Sequence, residues 1–143
     1  MPDILHDFPI QCSPAEVFRG VATPAGIDSW WTIRSKGAPT LGATYELWFG
    51  PEYDWRAQVV QCVADRSFEL EMTHAMPDWM GTRVRFDLTP TPTGTQLRFA
   101  HTGWPEVNEH YRISSFCWAM YLRLLRRNLE FGETVPYEKR LDV

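Results

Sequence analysis

Through the middle of the chain, apolar and polar residues alternate with a period of two. Tyr45, Leu47 and Phe49 alternate with Thr44, Glu46 and Trp48, and Trp55, Ala57 and Val59 with Arg56 and Gln58. Phe68, Leu70 and Met72, then Val84, Phe86 and Leu88, then Leu97 and Phe99 repeat the pattern. Each run predicts a strand with one buried and one wet face, and such strands pair antiparallel. Near the N-terminus, Ile4, His6, Phe8 and Ile10 share a face of a further strand over residues 3–11. On the wet face, Glu69 and Glu71 can stand opposite Arg83 and Arg85 across a hairpin.

Two short helices follow the first strand. Ser13-Pro14-Ala15-Glu16 combines a capping serine, a proline suited to the first helical position and a glutamate three residues after the cap. Thr23-Pro24 repeats the device and leads towards Trp30-Trp31. From Pro105 to Phe131 the period becomes helical, over about 40 Å at 1.5 Å per residue. Val107, Tyr111, Ser115, Trp118, Leu122, Leu125 and Leu129 form its main stripe, and Gly132 is a natural stop. Ile113, Phe116, Met120 and Leu124 form a weaker opposite ridge. That ridge needs a second partner, either the tail or another subunit. The tail, 133–143, reads as irregular.

The fold class is therefore α+β: a strand, two short helices, and an about six-stranded antiparallel sheet curled around one long C-terminal helix. The sheet's apolar face needs a cover, and that helix is the only long amphipathic element. Small polar residues on it, Ser114 and Ser115, make an imperfect seal and leave room for a cavity.

Composition narrows the function. One domain fits 143 residues, and the longest apolar run, Phe116 to Leu122, is far too short for a membrane span. The net charge of −4 argues against nucleic acid as a partner. Three scattered cysteines, read as small buried hydrophobes, and an N-terminus without a basic region indicate a reduced, cytoplasmic protein with no signal peptide. No cofactor or metal motif appears. Aromatic residues make up 14%, with seven tryptophans, enough to build a large core or line an apolar pocket.

The order of elements resembles the START-like, helix-grip (SRPBCC) superfamily. Within it the chain is similar to bacterial relatives of the C-terminal domain of the heat-shock chaperone ATPase activator. The resemblance rests on Phe8, Ser13-Pro14-Ala15-Glu16-Val17-Phe18, Thr23-Pro24, Trp30-Trp31 and the aromatic strand 45–49. Thr102-Gly103-Trp104-Pro105 and the closing helix with Trp118, Tyr121, Leu122 and Leu129-Glu130-Phe131-Gly132 complete it. The superfamily includes carriers, receptors, cyclases and chaperone co-factors, so the resemblance implies the fold and leaves the function open.

The expected function is binding of a small, mostly apolar ligand between sheet and helix. The candidate lining is Trp31, Phe68, Leu70, Met72, Phe86, Phe99, Trp118, Tyr121, Leu122 and Leu125. His74 and His101, which continue inward-facing rows by parity, would orient it, and His6 faces inward by the same rule. One alternative is a cyclase-, dehydratase- or hydrolase-like enzyme using cavity His and Tyr side chains. Another is a chaperone co-factor or interaction module. One of Trp30 and Trp31 is expected in the pocket wall, and the loop carrying Met76 and Trp79 is a candidate cover for its mouth. A homodimer through the C-terminal helix is expected.

Overall fold

The structure is a computed structural model and describes residues 1–142. Its strands are β1 (Ile4–Ile10), β2 (Arg34–Lys36), β3 (Thr44–Trp48), β4 (Asp54–Val63), β5 (Ser67–His74), β6 (Arg83–Thr91) and β7 (Gly94–Thr102). They form one antiparallel sheet in the order β1-β7-β6-β5-β4-β3-β2. The sheet has seven strands rather than about six. The unexpected one, β2, is the tripeptide Arg34-Ser35-Lys36, too short and polar to show alternation. It pairs with β3, and the Arg34 guanidinium lies 4.0 Å from the Trp48 ring centre.

The alternation read from sequence describes the inner face. Tyr45 and Leu47, Ala57 and Val59, Phe68, Leu70 and Met72, Val84, Phe86 and Leu88, and Leu97 and Phe99 are all buried. Burying each large apolar side chain contributes about 1.5–3 kcal/mol. On the other face, Glu69 opposes Arg85 and Glu71 opposes Arg83. Their ion pairs, at 3.3–3.9 Å, add only tenths of a kcal/mol where exposed.

Parity fails at one place that matters. In the β4–β5 ladder Ala57 pairs with Met72, but Arg56 pairs with His74, so Thr73 is an extra residue. A bulge of this kind reverses the faces beyond it. His74 therefore points to solvent and does not continue the inward row of Phe68, Leu70 and Met72.

The helices are α1 (Pro14–Ala22), α2 (Pro24–Asp28) and α3 (Glu109–Phe131). Ser13 Oγ accepts from the Glu16 N–H at 3.2 Å, and Thr23 Oγ1 from the Gly26 N–H at 3.1 Å, as the sequence predicts. The long helix begins at Glu109, not near Pro105, because Asn108 is its cap and accepts from the Tyr111 N–H at 2.9 Å. Val107 consequently lies outside the helix and is exposed. Gly132 ends it at φ +71°, a backbone conformation that glycine adopts without strain.

The sheet wraps α3, which buries Ser114, Trp118, Leu122, Leu124 and Leu125. Residues 137–142 form a 3₁₀ helix rather than an irregular tail; Val143 lies outside the described residues. Arg140 fixes this segment. Its buried guanidinium donates to the carbonyls of Val135, Thr32 and Asp28 at 3.0, 3.2 and 2.9 Å.

Candidate functional site

The tail, held by Arg140, closes one side of a cavity of about 250 Å³ beside the N-terminal half of α3. Four other segments converge there. Trp31 enters from the α2–β2 connection, Phe49, Tyr53 and Trp55 from the β3–β4 hairpin, and Met76 and Trp79 from the β5–β6 loop. One face of α3 contributes His110, Ile113, Ser114, Cys117, Trp118 and Tyr121, and the tail contributes Tyr137. Eight of the thirteen lining residues are Trp, Tyr or Phe.

The wall is one connected aromatic cluster. Trp79 stacks on Trp118 with ring centres 5.8 Å apart, and Trp31 lies 5.2 Å from Trp118. Trp55 meets Trp79 at 4.9 Å and Phe49 at 5.1 Å. Trp30 and Trp104 back this cluster from the core at 6.4 Å from Trp118 and 6.1 Å from Trp79. Six of the seven tryptophans thus belong to the cavity wall or its support, which accounts for the unusual composition.

The wall is oriented by His101, which lies behind it. The Trp118 indole N–H donates to His101 Nδ1 at 3.0 Å, so Nδ1 must be an acceptor and the ring proton sits on Nε2. Nε2–H then donates to Thr82 Oγ1 at 2.8 Å, and the Thr82 hydroxyl donates to the Trp79 carbonyl at 2.6 Å. The relay links the helix tryptophan to the loop tryptophan stacked on it. Burial, with a smaller contribution from His110, pushes the His101 pKa down to about 3, so the ring is neutral near pH 7. His101 is a positioning residue, wholly buried and outside the cavity lining.

A second polar constellation does reach the cavity. His110 Nδ1 is 3.1 Å from Asp78 Oδ2, and the same oxygen accepts from Asn108 Nδ2 at 3.2 Å. Asn108 therefore caps α3 with its amide oxygen and holds Asp78 with its amide nitrogen. The pair sits at the helix N-terminus, where the Asp78 carboxylate is favoured. One turn on, Ser114 faces the cavity, followed by Cys117, whose thiol burial pushes up and keeps protonated. Burial foremost, then Tyr137, raises the Tyr121 phenol well above its ordinary value.

Of the expected lining residues, only Trp31, Trp118 and Tyr121 line this cavity. Phe68, Leu70, Met72, Phe86, Phe99 and Leu125 are packed as solid core beneath it. Leu122 lies at the floor of a separate cleft between β1 and α3, with His6 and Phe8. His74 is exposed. Trp30 is the core member of its pair, donating to the Gly20 carbonyl at 2.9 Å, and Trp31 the wall member. The cysteines are half-buried rather than fully buried, with free thiols. Sequence reading named Ser114 only as a gap in the seal of the helix, and missed Phe49, Tyr53, Trp55, Asp78, His110, Ile113, Cys117 and Tyr137 as site residues. Reading Asn108 rather than Pro105 as the start of α3 would have placed His110 in its first turn. Among the described residues no three His, Cys, Asp or Glu side chains are grouped to hold a metal ion, and no helix is long and apolar enough to cross a membrane.

Residues 11–130 match the family described as Activator of Hsp90 ATPase homolog 1-like protein. The chain belongs to this family. The structure is similar to the solution structure of the Aha1 dimer from Colwellia psychrerythraea, at 28% identity and a TM-score of 0.84, covering 93% of this chain and 99% of that one. It also shares its fold with protein MLL2253 from Mesorhizobium loti, at 22% identity and a TM-score of 0.78, covering 92% and 99%. CalU16 from Micromonospora echinospora has the same fold at 18% identity and a TM-score of 0.72, covering 92% and 67%. No curated protein matches the chain.

Proposed function

We propose that this protein binds a small, flat, mostly apolar molecule in the aromatic cavity and does not transform it through His74 or His101. The observation that carries this reading is the cavity wall itself: eight aromatic side chains facing about 250 Å³ of space. A close-packed core leaves few voids larger than a water molecule. About 10–15 Å³ of such space admits a water molecule, and this cleft offers about 250 Å³. A monocyclic or bicyclic ring fits that space. The enzyme alternative loses its two histidines, one exposed and one buried and neutral. Native mass spectrometry of freshly purified protein, with extraction of bound material, tests the reading. A co-purifying aromatic molecule supports it. An apoprotein whose tryptophan fluorescence does not respond to millimolar nitroaromatic compounds refutes it.

A second copy of the chain is the proposed partner of the outer face of α3. Leu124 on the weaker ridge is covered, but Ile113 and Phe116 remain 52% and 70% exposed. The similar Colwellia protein is a dimer. Sedimentation equilibrium should show a concentration-dependent dimer that Phe116→Asp disrupts. A monomer at all concentrations refutes it.

A further inference from the structure

The Asp78–His110 pair is not explained by the apolar reading of the cavity, and it specifies the ligand more closely. His110 Nδ1 faces a carboxylate oxygen and therefore carries the ring proton in the neutral form. Nε2 then presents a lone pair, and it has no hydrogen-bond partner among the described residues. His110 lines the cavity, so this acceptor is available to a molecule bound there. No lysine or arginine lines the cavity. A ligand arriving as an anion would meet no fixed cation and would approach Asp78. A ligand arriving neutral, with an acidic hydroxyl, meets the Nε2 lone pair of a ring whose other nitrogen is held by a carboxylate.

We propose that the cavity takes a ring carrying a phenolic or enolic hydroxyl, and that His110, supported by Asp78, accepts that proton. This rests on the ligand-binding reading above. In the step, the ligand O–H bond breaks, its electron pair stays on oxygen, and an N–H bond forms at Nε2. The product is an oxyanion paired with an imidazolium, whose charge Asp78 offsets. Tyr53, Tyr121 and Tyr137 line the same cavity, with Tyr121 and Tyr137 hydrogen-bonded to each other, and supply phenol groups of the kind that donate to an oxyanion. The titratable groups around His110 are Asp78 on the loop, Tyr53 on the β3–β4 turn, Cys117 and Tyr121 on its own helix, Tyr137 on the tail, and His101 behind the wall. Near pH 7 the thiol and His101 are neutral, and burial raises the Tyr121 and Tyr137 phenols.

The test uses 4-nitrophenol, whose neutral and ionised forms absorb at separate wavelengths, at the pH where it is half ionised in water, above the ordinary range of an imidazole. Its ether, 4-nitroanisole, has no proton to give. Binding of either is read by quenching of tryptophan fluorescence. Both compounds should bind, and the wild-type protein should raise the ionised fraction of bound nitrophenol from about one half to about nine tenths, as a one-unit fall in its pKa requires. His110→Gln and, independently, Asp78→Asn should abolish that gain, read per molecule of bound nitrophenol so that any change in affinity drops out. If both compounds bind but the bound nitrophenol is no more ionised than in water, or ionises equally in both variants, the proton-accepting role is overturned and the ligand site stands. If neither compound binds, the site reading falls and this inference falls with it.

Discussion

Acidification should destabilise the protein through one side chain, His101. It is wholly buried, with both ring nitrogens engaged as described, and its pKa is about 3 in the folded state. In the unfolded chain a histidine titrates near 6.5. The unfolded state therefore binds a proton that the folded state refuses. The stabilisation is complete above pH 6.5 and is lost as pH falls towards 3, at about 1.4 kcal/mol per pH unit. Between pH 7 and pH 5 the loss is about 2 kcal/mol, and few carboxylates titrate in that window. Urea unfolding at the two pH values reads it directly, since the midpoint moves with stability at constant slope. His101→Gln provides the control. It should cost about 1–3 kcal/mol at pH 7 by disturbing a buried relay, and it should flatten the pH dependence. Equal wild-type midpoints at pH 7 and pH 5, or an unchanged pH dependence in the variant, would refute the reasoning.

Three further outcomes separate wall from core. Ser114→Phe places a ring in the cavity and should weaken binding of 4-nitroanisole at least about tenfold with the fold intact, as monitored by fluorescence titration and circular dichroism. Leu122→Trp overfills packing outside that cavity and should cost about 1–3 kcal/mol in urea unfolding while leaving nitroanisole affinity unchanged. Arg140→Met strands three backbone carbonyls and should cost about 2–3 kcal/mol; freeing Tyr137 should also weaken the probe's binding. Retained stability and affinity in Arg140→Met would show that the tail is not a wall of the site.

The outcome at each position follows from what periodicity can carry. A period of two states which face a side chain takes within a regular ladder. Ala57, Phe68, Met72, Phe86 and Phe99 were legible as inward-facing for that reason. Inward-facing and cavity-lining are different properties. Six of the expected lining residues lie where sheet and helix close tightly, and the space opens only near the N-terminal half of α3. That place is set by turns and ends: the β3–β4 hairpin, the β5–β6 loop and the tail. Their geometry depends on single events, such as the extra residue at Thr73 or the three hydrogen bonds of Arg140, which leave no periodic trace. The resemblance to the helix-grip superfamily supplied the architecture and, through Trp31, Trp118 and Tyr121, part of the wall, but none of the loop and tail residues that complete it.

Asn108 ties the architecture to the chemistry. A helix in this fold needs a cap, and serine, threonine or aspartate would serve the backbone as well. Asparagine alone of these presents an amide donor while its oxygen caps. Here that donor holds Asp78, and Asp78 fixes His110 in the tautomer that leaves Nε2 open to the cavity. Replacing it by serine should therefore leave α3 and the unfolding midpoint nearly unchanged. The proton-accepting behaviour of His110 should weaken because Asp78 loses its tether. An Asn108→Ser protein that ionises bound 4-nitrophenol as well as wild type would show that the carboxylate needs no such support. One that loses both stability and ionisation would show that the cap and the site cannot be separated.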